Sequence, residues 1–221
     1  MLLRQRENVY IGPLTFQGIL KEKPWGGRAL RRVCGKDLPP GRIGESWELA
    51  DHPNGVTLVR GGPLDGRELS QVMRRHHRSI VGPRGPKRFP FIVKLIDASR
   101  RLSVQVHPND AAARSLRLKE KGKLEAWYVL ESRRNGAIIA GLKSRCDFPR
   151  LSDLAKTGHL AHRLRTVHPR KGEAWLCEPG AIHALGPGLV MLEFQQNSDA
   201  TLRIHDWGRP GLDGKPRTLH L

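Results

Sequence analysis

The chain has 221 residues, of which 38% are hydrophobic and 5% aromatic, and its formal net charge is +18. This length suits one domain, and no run of 18 apolar residues is present, so we expect no membrane-spanning helix. The charge would attract polyanions. The basic residues are spread along the chain, however, and neither a nucleic-acid-binding motif nor a stripe of alternating basic and aromatic residues occurs, so we expect no specific nucleic-acid binding.

The cysteines indicate the compartment. Cys34, Cys146 and Cys177 are scattered, odd in number and form no Cys-x-x-Cys pair. This usage is typical of reduced thiols rather than of a disulfide framework. The opening residues, Met1–Asn8, are too polar for a signal peptide. We therefore expect a cytoplasmic protein, and we expect it to be a monomer.

Short apolar runs separated by glycine and proline turns predict many β-strands. In chain order the predicted strands are 55–60, 91–97, 102–107, 126–131, 137–141, 173–177, 189–195 and 202–205. Helical periodicity predicts helices over 66–80 and 148–164, and a shorter one over 110–118 that Asn109 or Asp110 would cap. The pattern favours a mainly β fold, a jelly-roll barrel with short helical insertions.

The alternating run from Arg101 to His107 is the most informative segment. Side chains two residues apart on a strand share a face, so Ser103, Gln105 and His107 lie together while a leucine and two valines lie opposite. An amide oxygen beside an imidazole can supply half of a metal site. The alternative is a half-buried edge strand whose outer face is simply polar.

Two later residues would complete such a site. Glu125 enters an apolar, strand-like run, where a buried carboxylate is costly unless it is paired. His183 follows a Pro-Gly turn and has apolar neighbours, so the turn would deliver it into a strand. With Gln105 and His107 they give two nitrogen and two oxygen donors, which suits zinc with open water positions. Taken singly, they could equally be a capped turn histidine and a solvated glutamate.

Several longer segments, taken in order, resemble the class I mannose-6-phosphate isomerases of the bacterial short type. The resembling segments are 21–27, 43–55, 90–98, 102–110, 122–130 and 192–207. The resemblance implies a cupin-type jelly-roll barrel and one zinc ion per chain, held by Gln105, His107, Glu125 and His183. Members usually carry a further β domain after the segment that ends at Leu221, so we expect residues 1–221 to be the catalytic domain without it.

The same resemblance implies the remaining roles. Arg203 corresponds to the family's active-site arginine, whereas Ser103, Lys123 and Glu193 correspond to substrate-pocket positions. We place Arg203, Glu193 and Lys123 in the catalytic group. In the substrate-binding group we place Ser103, Lys94 and Glu48.

The implied reaction interconverts mannose 6-phosphate and fructose 6-phosphate by moving a proton between C1 and C2. Zinc and a cationic arginine would stabilise the enediolate that forms. The general base is open at this stage between Glu193, Glu48 and a metal-bound water. Lys94, Lys123 and Arg203 are candidates for the phosphate contact.

Alternation in the run around Arg203 predicts that its side chain faces the barrel interior, opposite Leu202 and Ile204. The alternative is a salt bridge to Asp199 or Asp206. At the level of the whole chain, a metal-binding cupin that senses or binds sugars without catalysis is the second hypothesis. A third keeps the isomerase chemistry with another sugar.

Overall fold

The structure is a computed structural model that describes residues 12–221, so the polar opening segment Met1–Asn8 lies outside the described residues. The strands are β1 (Phe16–Gln17), β2 (Ile19–Gly27), β3 (Ile43–Leu49), β4 (Asp51–His52), β5 (Gly55–Val56), β6 (Leu58–Val59), β7 (Phe91–Ala98), β8 (Val104–Val106), β9 (Glu125–Ser132), β10 (Ile138–Leu142), β11 (Leu164–Val167), β12 (Ala174–Cys177), β13 (His183–Leu185), β14 (Leu189–Gln196) and β15 (Leu202–His205). The α-helices are α1 (Ala29–Cys34), α2 (Leu69–Val81), α3 (Asp110–Ser115) and α4 (Phe148–Lys156).

Two antiparallel sheets make up the body of the protein. The six-stranded sheet has the order β12-β9-β14-β7-β3-β2, and the five-stranded sheet has the order β11-β10-β13-β8-β15. Neighbours in a sheet are mostly distant along the chain, as in a double-sheet jelly roll. The predicted mainly β jelly-roll fold is therefore confirmed.

Large apolar side chains fill one half of the space between the sheets. Trp25, Trp127 and Met191 from the six-stranded sheet are buried in one cluster with Ile138 and Leu185 from the five-stranded sheet. Burial of this kind contributes roughly 25 cal/mol per Å² of apolar surface and fixes which face of each strand points inward. The other half of that space holds the charged cavity described below.

The outer faces of the two sheets are covered separately. Val104, Ala184 and Ile204 point outward from the five-stranded sheet and pack with Ala155 of α4. On the other sheet, α1 packs its buried Leu30 against the sheet's outer face. Within residues 12–221 no helix is long and apolar enough to cross a bilayer.

Every predicted strand overlaps an observed one, but both longer helices differ in extent from their predictions. The helix expected over 66–80 begins only at Leu69, because Gly66 has a φ of 73° and Glu68 is extended. The helix expected over 148–164 ends at Lys156, and a 3-10 turn and β11 follow. Gly158, with a φ of 76°, takes a left-handed conformation that an α-helix cannot continue through. Of the two predicted caps of α3, Asn109 is the one observed, since its side chain accepts from Ala112 N at 2.8 Å.

Candidate active site and metal centre

A cavity of about 320 Å³ lies between the two sheets and is lined mostly by polar and charged side chains. The six-stranded sheet and the loop entering β9 supply its charged wall of Lys23, Glu45, Lys94, Lys123 and Glu193. The opposite sheet supplies Ser103, Gln105 and Arg203. A larger depression of about 690 Å³ lies beside α4 and contains none of the predicted site residues.

Three predicted metal ligands meet in the interior. The ligand atoms of His107, Glu125 and His183 all lie within 4.8 Å of one another, and the three side chains are buried. Nε2 of His107 is 3.2 Å from Oε2 of Glu125, and Nε2 of His183 is 3.3 Å from Oε1. Gln105 and His183 are paired directly across β8 and β13, whereas Glu125 comes from the opposite sheet.

Backbone carbonyls fix which nitrogen each histidine presents. Nδ1 of His107 is 2.7 Å from the carbonyl of Ala200, and Nδ1 of His183 is 2.9 Å from that of Ala181. Because a carbonyl only accepts, each Nδ1 carries the proton and each Nε2 keeps its lone pair. Burial, the largest influence, lowers the pKa of His183 to about 4, so its imidazole is neutral near pH 7. Neutral imidazole is the form that binds a metal.

The Glu125 carboxylate has charges around it but no hydrogen bond. Lys123 Nζ lies 2.8 Å from Oε2, yet within residues 12–221 neither carboxylate oxygen has a partner in hydrogen-bond geometry. Burial opposes ionisation, but the ammonium of Lys123 counters it, and the pKa of Glu125 lies well below its usual range. An ionised, buried carboxylate with free lone pairs beside two free imidazole nitrogens fits a divalent cation.

Gln105 completes the set of donors. Its Nε2 lies 3.5 Å from Nε2 of His107 and 3.3 Å from Nε2 of His183, while Oε1 accepts from Ser103 Oγ at 3.3 Å. A half-turn of the amide exchanges its nitrogen and oxygen and would present the oxygen to the same centre. The shared face predicted for Ser103, Gln105 and His107 is therefore the face that points at the cavity and the cluster.

A row of side chains crosses the six-stranded sheet on its cavity face. Lys94 and Glu193 are paired across β7 and β14, and Glu193 and Trp127 are paired across β14 and β9. Lys94 Nζ is 3.4 Å from Glu193 Oε1, and Trp127 Nε1 donates to Oε2 at 3.0 Å. The carboxylate of Glu193 is thus held from both sides while it lines the cavity.

Lys123 lines the same cavity beside the metal cluster. Burial opposes its charge, but the carboxylates of Glu125 and Glu193 outweigh that effect and raise the pKa of Lys123 above its ordinary value. Its side chain therefore favours the charged form on the wall of the cavity.

Arg203 also lines the cavity, opposite the outward-facing Ile204, as the alternation predicted. It makes no salt bridge with Asp199 or Asp206. Its Nη1 donates to the carbonyl of Thr218 at 2.9 Å, and its buried Nε has no hydrogen-bond partner among the described residues. Burial, followed by the nearby charge of Arg217, lowers the pKa of Arg203 from its ordinary value.

The structure corrects the placement of Glu48. Glu45 and Glu48 are three residues apart on β3, so they lie on opposite faces of the strand. Glu45 lines the cavity, whereas Glu48 points away from it and pairs with Lys36 next to α1. Glu48 therefore lies outside the cavity that holds the other predicted substrate-binding and catalytic residues.

Several cavity residues were missed by the sequence reasoning. They are Lys23, Trp25, Glu45, Asp199, Thr201, Arg217 and His220. Alternation puts Glu45 on the same face of β3 as Trp47, but it does not tell which face of the strand lines the cavity. No local signal marks Arg217 or His220, because a turn after β15 brings them back to the cavity.

Comparison with known proteins shows which family this chain belongs to. A family model described as the catalytic domain of type I phosphomannose isomerase matches residues 14–134, more than half of the chain. The chain belongs to the type I phosphomannose isomerase family. It is similar to mannose-6-phosphate isomerase ManA of Bacillus subtilis, with 39% identity over 209 residues that cover 95% of this chain and 65% of that protein. A mannose-6-phosphate isomerase of Streptococcus mutans is 36% identical over the same shares.

The fold of this phosphomannose isomerase family member agrees with a solved structure. The crystal structure of mannose 6-phosphate isomerase from Bacillus subtilis superposes with a TM-score of 0.87 at 36% identity, covering 94% of this chain and 66% of that one. The chain thus spans about two thirds of the length of these relatives.

Proposed function

We propose that this chain interconverts mannose 6-phosphate and fructose 6-phosphate by proton transfer between C1 and C2 of the open-chain sugar. The observation that carries the proposal is that a buried His/Glu/His cluster adjoins, through Gln105, the cavity that holds the carboxylate of Glu193 and the guanidinium of Arg203. The names of the relatives support the same reaction.

We propose that Gln105, His107, Glu125 and His183 hold one zinc ion. The mixed nitrogen and oxygen donors and the free lone pairs on both Nε2 atoms support this assignment. When bound, the ion supplies Lewis-acid stabilisation of negative charge on the substrate oxygens.

Glu193 is the residue we assign to proton transfer. It is a cavity carboxylate outside the donor set, and Lys94 and Trp127 fix its position. A carboxylate held in this way can take the proton from one carbon and return it at the next. A rigid base needs less reorganisation during the reaction than a freely rotating one.

Two cations stabilise the developing charge. Arg203 lines the cavity without a salt-bridge partner among the described residues, and its guanidinium cannot serve as an acid near neutral pH. Lys123 supplies a second fixed positive charge beside Glu125. Ser103 and Lys94 are assigned to substrate binding, because both line the cavity next to these groups.

The test is a coupled assay of fructose 6-phosphate formation from mannose 6-phosphate, with and without a chelator. We expect turnover that a chelator abolishes and added zinc restores. Glu193→Gln should lower kcat by about 100-fold or more, the usual contribution of a general base. Glu48→Gln is the matched control, since its carboxylate lies on the other face of the sheet, and it should keep near-normal turnover. Equal losses in both variants would remove Glu193 from the reaction, and no turnover by the metal-loaded wild type would refute the activity.

A further inference from the structure

The chain beyond β15 turns back towards the cavity. Gly211 N donates to the carbonyl of Lys215 at 2.7 Å, and Pro210 and Pro216 are bridged, so residues 210–216 form a tight hairpin. The four residues that follow, 217–220, run beside β15, and we call them the return segment. Its last residue is tied to Arg203 twice: His220 N donates to the Arg203 carbonyl at 2.7 Å, and Arg203 N donates to His220 Nδ1 at 3.0 Å.

The return segment extends a row of side chains that begins at the metal cluster. His183 and Gln105 are paired across β13 and β8, and Gln105 and Arg203 are paired across β8 and β15. The return segment lies next to Arg203. Because neighbouring strands are spaced by about 4.8 Å, this row leads stepwise from the cluster to the far end of the cavity. In an open-chain hexose 6-phosphate, the phosphate likewise lies at the opposite end of the carbon chain from C1 and C2.

Arg217 of the return segment lines the cavity while its guanidinium is anchored from behind. Its Nε and Nη2 donate to the two carboxylate oxygens of Asp206, each at 2.6 Å. Asp206 does not line the cavity. This bidentate pair fixes the plane of the guanidinium, and Nη1 has no hydrogen-bond partner among residues 12–221.

The far end of the cavity has an excess of positive charge. Lys23 and Lys94 each face a carboxylate that also lines the cavity, at 3.2 and 3.4 Å. Lys123 faces Glu125 of the metal cluster at 2.8 Å. Arg203 has no such partner in the described part of the chain, and the partner of Arg217 lies outside the cavity. Glu45, Glu193 and Asp199 also line the cavity, but in the described part of the chain none of them forms a salt bridge with either guanidinium group. A bound anion would stabilise two such arginines.

We propose that Arg217 is a further substrate-binding residue, which together with Arg203 binds the phosphate group of the sugar phosphate, and that Asp206 is its positioning residue. The identity of the substrate rests on the proposed function, but binding of a phosphate at this end of the cavity does not. Nη1 of Arg217 and Nη2 of Arg203 make no hydrogen bond among the described residues, so they are the donors available to phosphate oxygens.

Arg209 provides a matched control. It pairs with the same carboxylate, its Nη2 lying 2.6 Å from Asp206 Oδ1, but it is not among the residues that line the cavity. Arg209→Gln and Arg217→Gln each remove one positive charge and one ion pair with Asp206. Only Arg217→Gln also removes a side chain that lines the cavity.

The experiment measures inorganic phosphate binding by calorimetry to the full chain, and KM and kcat for mannose 6-phosphate. Arg217→Gln should weaken phosphate binding and raise KM by about tenfold or more, the usual effect of losing a hydrogen bond to a charged group, with a smaller change in kcat. Arg209→Gln should change both by less than about threefold. Arg217→Lys, which keeps a point charge but not the planar fork, should give an intermediate loss and serves as the second variant if Arg217→Gln does not fold.

The outcomes separate the two proposals. Weaker phosphate binding in Arg217→Gln, with no turnover even in the wild type, would support the phosphate site and refute the isomerase activity. Equal effects of Arg209→Gln and Arg217→Gln would assign Arg217 a structural role. Absence of phosphate binding to the wild type would overturn the inference, and so would phosphate binding that Arg217→Lys leaves unchanged.

Discussion

Removing the ammonium of Lys123 should destabilise the metal-free protein far more than the metal-loaded one. Lys123 and Glu125 are 2.8 Å apart, and their side chains are only 5% and 1% exposed. Lys123→Met keeps most of the side-chain volume but leaves the Glu125 carboxylate buried without its main counter-charge. Breaking one side of a buried ion pair typically costs about 3–5 kcal/mol. A bound divalent cation would take over part of the neutralisation, so the loss should be smaller with metal present.

The assay is thermal unfolding of Lys123→Met in chelator and in zinc. For a chain of this size, each kcal/mol of lost stability lowers Tm by about 2–4 °C, so we expect a fall of at least about 6 °C in chelator. The control is the double variant Lys123→Met with Glu125→Gln, which has no buried charge left unpaired and should recover much of the loss. A Tm in chelator within about 2 °C of the wild type, or no recovery in the double variant, would refute the reasoning.

Three more predictions concern metal binding, the role of Arg203 in turnover, and the loss of stability at acid pH. We expect elemental analysis to find about one equivalent of metal in the wild type and none in the double variant His107→Ala with His183→Ala, and full occupancy in that variant would contradict the ligand assignment. Arg203→Ala should reduce turnover by orders of magnitude while metal content and Tm change little; near-normal turnover would make it a structural residue. Burial opposes ionisation of Asp206, but Arg217 and Arg209 outweigh it and lower its pKa in the folded state. Its stabilisation is therefore present above the unfolded pKa and is lost as the pH falls through the lower folded value, so Asp206→Asn should flatten the acid limb of a stability–pH curve, and an unchanged limb would argue against this pairing.

The residues of the metal cluster could be predicted because their signals are local. Alternation places Gln105 and His107 on one face of a strand. The Pro-Gly turn just before His183 predicts that this histidine begins a strand, and that prediction uses only neighbouring residues. Glu125 stands out because a carboxylate that enters an apolar run must find a partner. Each of these arguments needs only a few neighbouring residues.

The sequence could not indicate how the strands pair with one another, nor that the chain reverses direction after β15. Glu45 and Glu48 look equivalent until the face of β3 is known, and that face depends on its pairing with β7 rather than on β3 itself. The segment after Gly158 has helix-forming residues, but sheet pairing draws 164–167 into β11. Arg217 reaches the cavity only because the hairpin over 210–216 reverses the chain, which no short-range pattern near Arg203 indicates.

The metal cluster draws its donors from both sheets, and this has a mechanical consequence. Gln105 and His183 come from the five-stranded sheet and Glu125 from the six-stranded one, so an ion held by all of them would be a non-covalent cross-link through the middle of the sandwich. Pulling the sheets apart would then require breaking metal–ligand bonds as well as exposing the apolar half of the interior. Amide protons of β8, β9 and β13 should therefore exchange with solvent more slowly in zinc than in chelator, while those of the outlying β4–β5 ribbon should exchange equally fast in both.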